Sequence, residues 1–262
     1  MISTFALERW REEYAPWKET KMVEQDLILS RAIVCLFDSE VVRKDLIFRG
    51  GTSLNKLFFD PPARYSEDLD FVQRESKGVG PTIYAIRMAL KGWLDLFPKS
   101  RLTNRGAKLI YKFETVDGEV GKLKIEINTT EHFQVLPTIE KQHTVESEWF
   151  SGKAIVPVYQ LEELIATKIR ALYQRRKGRD LFDLWYVLCN QKIDIEKTMD
   201  IFREYNKRCE SGITSKLFQT SLEEKLEHPD FLSDMERLLP MGSRWNEAEA
   251  RELIFDLVLP RI

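Results

Sequence analysis

Cysteine is scarce in this chain: three in 262 residues, Cys35, Cys189 and Cys209. An odd number, widely spaced and without a C-x-x-C pair, argues against a disulfide framework or a zinc knuckle and fits a reducing compartment. Histidine is equally sparse, and His132, His143 and His228 stand at no metal-ligand or triad spacing. Long apolar runs are missing too. Ala32–Phe37 is among the longest, far below the ~20 residues a membrane span needs. The first ten residues, Met-Ile-Ser-Thr-Phe-Ala-Leu-Glu-Arg-Trp, carry charge and no signal-peptide apolar block. The expectation is a cytoplasmic chain with no membrane partner. Nor is there an excess of one charge. Lys and Arg number 40 and Asp and Glu 42, a formal net charge of −2, so any contact with nucleic acid must come from a local patch. Internal repeats, low-complexity segments, a Walker loop and a G-x-G-x-x-G turn are all absent.

What is present is a globular composition, 43% hydrophobic and 31% charged, long enough for one large domain or two modest ones. Residues 19–37 place Met22, Val23, Leu27, Leu29, Ile33, Val34 and Phe37 at mostly helical spacing. Leu46–Arg49 reads as a short buried strand ending at Gly50-Gly51. Ser53–Phe59 reads as a short helix stopped by Asp60-Pro61-Pro62. Asp68–Gln73 is the next strand, and Pro81–Phe97 is helical with proline at its start. The period then becomes two: 108–116 and 121–129 flank Asp117-Gly118, a hairpin signal. Residues 150–158 form one more strand. The spacing thus predicts a mixed unit of four or five strands with helices on one side. From Gln160 onward nearly everything is helical, in pieces at about 160–175, 179–191, 194–210, 214–227, 229–239 and 246–258. A domain boundary is expected between 150 and 160.

The chemistry concentrates in residues 48–71. Asp68 and Asp70, separated by one apolar residue on a strand, project from one face. Two nearby carboxylates invite a hard divalent cation, which takes oxygen ligands and commonly shares them with substrate phosphates. With Glu67 adjacent, a solvated acidic turn is the alternative. Gly50, Gly51, Thr52 and Ser53 allow close approach of a phosphate to the start of a helix. The same residues would serve an ordinary strand-to-helix turn with Thr52 or Ser53 as cap. Glu126 lies on the polar face of its strand between Ile125 and Ile127. It is a candidate third ligand or base, or a plain exposed glutamate. Lys168 falls on the inward stripe of Leu161, Leu164, Ile165, Ile169 and Leu172, so it must snorkel outward or meet an anion. Arg175, Arg176, Lys177 and Arg179 surround Gly178, which reads as a helix C-cap glycine. That basic turn suits phosphate or RNA, although Arg176 and Lys177 fit a helix-dipole role better. Asp180 and Asp183 share a helix face. Asp180 could cap the helix, and Asp183, among Leu181, Phe182, Leu184 and Trp185, needs a partner such as Lys168 or an arginine.

Two blocks together resemble a known family. Gly-Gly-Thr-Ser-Leu-x-Lys (50–56) with Arg-Tyr-Ser-Glu-Asp-Leu-Asp-Phe (64–71), and Leu-Glu-Glu-Leu-Ile-Ala-Thr-Lys through Arg-Asp-Leu-Phe-Asp-Leu (161–184), are similar to the AbiEii/AbiGii nucleotidyltransferase toxins. The first block looks like the glycine-hydroxyl loop and Asp-x-Asp pair of the DNA polymerase β-like superfamily. The resemblance spans about residues 45–190, and its gap from Thr52 to Asp68 is longer than the minimal superfamily pattern. It implies an α+β fold: a nucleotidyltransferase-like mixed β-sheet with flanking helices over 1–155, then a C-terminal helical bundle over 156–262 that completes the nucleotide site. It implies Mg²⁺ or Mn²⁺ on Asp68 and Asp70, with Glu126 matching the superfamily's third acid in position. It implies an NTP on Gly51, Thr52, Ser53, Arg64 and Ser66, with Lys168, Arg175 and Arg179 steadying phosphates and Asp183 belonging to the same catalytic set.

The activity expected from that resemblance is Mg²⁺-dependent transfer of nucleotides from an NTP to RNA, most plainly tRNA. Such an activity would halt translation as the toxin of a toxin–antitoxin or antiviral defence system, with a cognate antitoxin encoded nearby. Two alternatives stay open at this level: a module that binds an NTP or a partner without transfer, and a two-metal nuclease using similar acids. The identity of the NTP, the acceptor hydroxyl and the oligomeric state have no signature in the sequence.

Overall fold

The computed structural model describes residues 2–262 and divides into two compact units, the first ending at Tyr159 and the second spanning Gln160–Ile262. The first opens with helices α1 (Thr4–Glu13), α2 (Thr20–Asp38) and α3 (Glu40–Asp45). Strand β1 (Leu46–Arg49) runs directly into α4 (Gly50–Leu57), and β2 (Asp68–Gln73) is followed by α5 (Gly80–Leu90). The remaining strands are β3 (Lys99–Thr103), β4 (Gly106–Glu114), β5 (Val120–Asn128), β6 (Ile139–Glu146) and β7 (Ser151–Val158). They form a seven-stranded sheet in the order β3-β4-β5-β2-β1-β7-β6. The β2–β5 and β1–β7 pairs are parallel and the others antiparallel, so this is a mixed sheet.

Period-two alternation builds its core. Leu69, Phe71, Leu109, Tyr111, Leu123, Ile125 and Ile127 are all buried, while the residues between them are half-buried or exposed. The rings of Phe37 on α2, Phe48 on β1 and Phe71 on β2 meet with centroids 5.2–6.3 Å apart. Helix α2 packs across β5, β6 and β7, which explains its nearly continuous burial from Met22 to Phe37.

The count of strands exceeds the four or five expected. β3 is wholly exposed along its length, and β6 buries only His143 and Val145. Both are edge strands, and edge strands carry polar residues that erase the hydrophobic period. The helix expected over 81–97 ends at Leu90. Gly92 adopts a φ of +101° two residues later, a conformation a helix cannot continue through, and Phe97 is left exposed.

The second unit is helical: α6 (Leu161–Gln174), α7 (Gly178–Asn190), α8 (Ile195–Arg208), α9 (Ser215–Leu226), α10 (Pro229–Leu232) and α11 (Glu247–Leu253). Its core joins Leu164, Ile165, Ile169 and Leu172 of α6 to Leu181, Leu184 and Val187 of α7 and to Ile201, Phe202 and Tyr205 of α8. Helix α10 is followed by a 3₁₀ turn at Ser233–Met235 and α11 by a π-helical turn at Ile254–Val258. Among the described residues no helix is long and apolar enough to cross a membrane.

Candidate active site

The acidic pair sits on β2, between β1 and β5. Register places Asp70 opposite Arg49 on one side and Glu126 on the other, and Asp68 opposite Lys124. Asp68 and Asp70 are half-buried while Leu69 and Phe71 turn inward, so the two carboxylates do share a face. The start of α4 lies against them. Gly50 has φ +83°, and a Cβ there would stand 2.7 Å from Asp70 Oδ2. Glycine is thus required twice, once by backbone conformation and once by close approach. A Cβ on Gly51 would collide with Arg64 Nη2 and stand 3.3 Å from Ser66 Oγ.

The hydroxyls of the motif bond within the protein. Thr52 Oγ1 donates to the Asp68 carbonyl at 2.5 Å and lies 2.8 Å from Ser66 Oγ. Ser53 Oγ donates to the Gly50 carbonyl at 2.9 Å. Both side chains are buried, so they tie the turn to β2 and to itself. Arg64 is also buried and donates from Nη1 to the Tyr65 carbonyl at 2.9 Å. Arg49, at the N-cap of α4, makes no capping bond through its side chain. It pairs with Glu131 at 2.8 Å.

Two residues of this motif hold the turn without having been singled out from the sequence. Asn55 accepts the N–H groups of Ala63 and Arg64, both at 3.0 Å, and donates to the Gly51 carbonyl at 3.0 Å. Lys56 pairs at 2.6 Å with Asp26, whose carboxylate also accepts from Trp10 Nε1 at 2.8 Å and Trp17 Nε1 at 3.0 Å. Spacing alone carries no signal for Asn55. Lys56 closes the Gly-Gly-Thr-Ser-Leu-x-Lys block of the family resemblance, but that block carries no signal for its partner Asp26.

Two lysines neutralise the acidic face. Lys124 pairs with Asp68 and stands 3.5 Å from Glu126, and Lys108 stands 2.9 Å from Glu126. Burial opposes ionisation of Glu126, but the hydrogen bond from Lys108 and the charge of Lys124 outweigh it and hold the carboxyl below its usual range. For Lys124, burial disfavours the ammonium, and the bond to Asp68 reverses that and raises its pKa. As a donor set, Asp68 and Asp70 are hard oxygen ligands on one face and suit Mg²⁺ or Mn²⁺. Among the described residues no group of three or more His, Cys, Asp or Glu side chains is gathered for a metal. Glu126 is engaged by two ammonium groups.

The remaining predicted site residues form a second cluster, inside the helical unit. Lys168 of α6 is buried and its Nζ lies 3.0 Å from Asp180 Oδ1 and 2.8 Å from Asp183 Oδ2. The partner that a buried Asp183 requires is therefore Lys168. Arg175 clasps Asp180 with Nε at 2.6 Å and Nη2 at 2.9 Å. Burial would push the Asp180 carboxyl up, but Lys168 and Arg175 together hold it well below the usual carboxylate range. Arg179 lies 3.6 Å from Asp234, which also accepts the Arg179 backbone N–H at 3.1 Å. Gly178 is not a C-cap. It opens α7, where a Cβ would collide with the Phe231 carbonyl oxygen, and α6 ends instead at Arg175 in extended conformation. The C-terminal carbonyls of α6 are met by Lys225, which bonds Leu172 and Tyr173 and whose pKa burial pushes down to about 8.

A family model described as nucleotidyl transferase AbiEii toxin, type IV TA system, matches residues 31–252. Among solved structures, the chain is similar to MenT4, a nucleotidyltransferase toxin from Mycobacterium tuberculosis H37Rv, with a TM-score of 0.66 and 16% identity over 99% of this chain and 89% of that one. It is also similar to a protein of H. pylori assigned as a nucleotidyltransferase, with a TM-score of 0.54 and 18% identity over 90% of this chain and 92% of that one. At these identities the two structures speak to the fold. No curated protein sequence matches.

Proposed function

The chain belongs to the nucleotidyl transferase AbiEii toxin family of type IV toxin–antitoxin systems, and from that premise we propose that it transfers a nucleotide from an NTP to an RNA acceptor of the tRNA class in a Mg²⁺-dependent reaction that blocks translation. The observation that carries the reading is the seat of Gly50 against Asp70: the absent Cβ joins the first turn of α4 and the acidic pair into one site. Asp68 and Asp70 would hold the metal, Mg²⁺ or Mn²⁺. When bound, such an ion supplies Lewis-acid polarisation of a phosphoryl oxygen and lowers the pKa of an attacking hydroxyl.

The chain's own residues do the rest. The start of α4, where N–H groups and the helix dipole favour anions, would receive the phosphates, and the missing Cβ atoms of Gly50 and Gly51 let Asp70 and Arg64 pack against that turn. Thr52 ties that turn to β2 and to Ser66, Ser53 bonds back to the Gly50 carbonyl, and Arg64 holds the Tyr65 carbonyl beside it. Lys108 and Lys124 offset the charge of Glu126 and Asp68, which suits Glu126 to fixing the two ammonium groups better than to abstracting a proton, since its basicity is reduced. For Lys168, Asp183, Arg175 and Arg179 we propose a nucleotide role on family resemblance. The setting we propose is the cytoplasm, with a cognate antitoxin encoded nearby and a part in antiviral defence.

The test is incubation with labelled NTPs, Mg²⁺ and total RNA. Label should enter RNA with the wild type and not with Asp68→Ala. No transfer by the wild type, or equal transfer by Asp68→Ala, overturns the reading, and RNA fragments in place of lengthened RNA would mark a nuclease.

A further inference from the structure

Strand register builds a second feature on the sheet face that carries Asp68, Asp70 and Glu126. The β3–β4 pairing sets Arg101 opposite Lys108 and Lys99 opposite Ile110. The β4–β5 pairing sets Lys108 opposite Glu126, Ile110 opposite Lys124 and Lys112 opposite Lys122. Residues directly opposite one another on paired strands share a face, as do alternate residues along a strand. Lys99, Arg101, Lys108, Lys112, Lys122 and Lys124 therefore project from one face of the β3–β4–β5 meander. Its other face is the apolar one formed by Ala107, Leu109, Tyr111, Leu123, Ile125 and Ile127.

Lys108 and Lys124 are tied to the acidic group. Lys99, Arg101, Lys112 and Lys122 are exposed and form no ion pair among the described residues. The acids on this face are Glu126, already engaged, and Glu114 at the far end of β4 opposite Val120. In a chain of net charge −2, four unpaired cations on one strand face are a local concentration and not the average of the surface. With strands about 4.8 Å apart and alternate residues about 6.6 Å apart, the patch leads from the acidic pair out to the β3 edge. Its apolar content is only Ile110 and the exposed Val120. A protein-binding patch would be centred on apolar and aromatic side chains, whereas a phosphodiester backbone is met by Lys and Arg alone.

We propose that this face of β3–β4–β5 is the track on which the phosphate backbone of the RNA acceptor lies while its reacting end meets Asp68 and Asp70. The inference rests on the RNA reading above and adds where the acceptor is held. The groups met are phosphates, so binding here would be independent of sequence and sensitive to salt.

The experiment follows binding of dye-labelled total tRNA by anisotropy between 50 and 200 mM KCl. Removing Lys99, Arg101, Lys112 and Lys122 together (each to Gln) should weaken binding about ten- to a hundredfold at low salt. It should also flatten the plot of log affinity against log salt by about 0.7–0.9 for each phosphate that the variant no longer neutralises. Removing four exposed charges from the helical unit instead (Lys192, Lys207, Lys216 and Arg244, each to Gln) should leave that slope in place. The pair Lys99→Gln and Arg101→Gln, confined to the exposed edge strand, repeats the test with a proportionally smaller effect should the fourfold variant fold poorly. Unchanged affinity and slope in the β3–β5 variants overturn the proposal, as does an equal drop in the helical control. If the wild type labels RNA in the transfer assay, such a result leaves the function standing and removes only the track. If the wild type binds no RNA, both fall. Binding of polyglutamate that depends on the four residues, without RNA binding, overturns the proposal in favour of an acidic protein.

Discussion

The chain holds two groups of opposed charges, and they differ in kind. In the helical unit Lys168, Asp180 and Asp183 are buried and close on one another with Arg175 at distances of 2.6–3.0 Å. On the sheet, Asp68, Asp70, Glu126, Lys108 and Lys124 are half-buried and exposed on one side. Burial strengthens every interaction in the first group and makes removal of any member costly, because the survivor is left in a poor solvent. Partial exposure weakens the pairs of the second group, so an incoming cation or phosphate can replace them at small expense. The difference separates charges already closed on one another in the interior from charges paired at a surface open to solvent.

Several substitutions would break or sharpen that contrast. The largest effect is expected from Asp70→Asn, which should reduce labelling of RNA to background while the unfolding free energy stays within about 1 kcal/mol of the wild type. A parallel collapse of stability would place Asp70 with the structural group. Asp180→Ala should do the reverse in denaturant titration, costing about 3–5 kcal/mol, because Lys168 and Arg175 lose a fully buried partner. A change below about 1 kcal/mol would show that the buried network is not structural. Gly50→Ala should cost about 1–3 kcal/mol through its positive φ, and because the new Cβ meets Asp70 Oδ2 it should lower transfer as well. Transfer at the wild-type rate would separate the turn from the acidic pair.

The pH dependence follows from Asp180, whose folded pKa is depressed. Its contribution is complete above the unfolded carboxylate value of about 4 and is lost as pH falls toward the folded one. Stability measured by thermal melting should therefore drop below about pH 4 in the wild type, and more gently in Asp180→Asn. The smallest change belongs to Lys124→Gln, within about 1 kcal/mol by denaturant titration, since both it and Asp68 are partly exposed.

Much of the frame was legible in the sequence. β1 and β2 have the bounds their residues predict, and the Asp117-Gly118 hairpin joins β4 to β5 as expected. The shared face of Asp68 and Asp70 follows from alternation, and the need of a buried Asp183 for a cation follows from the cost of an unpaired charge. What escaped has physical causes. β3 and β6 are edge strands with polar sequences, so the periodicity that reveals a strand is missing from them. The partners of the Thr52 and Ser53 hydroxyls, Ser66, the Asp68 carbonyl and the Gly50 carbonyl, have no local signature because they are set by how the turn folds onto β2. Gly178 read as a C-cap because a glycine after a basic helix end commonly is one, and the close approach that demands it comes from Phe231, more than fifty residues away.

The sequence by itself determined the family, the acidic pair, the glycine turn and the helical character of the C-terminal unit, because each is written in a short window of side-chain chemistry and period. Only the tertiary structure decided which charges are neutralised. That Lys124 meets Asp68, that Lys108 meets Glu126, and that four further cations line the same face are consequences of strand order and register. Those are fixed by long-range packing of the apolar face and carry no mark in any local window.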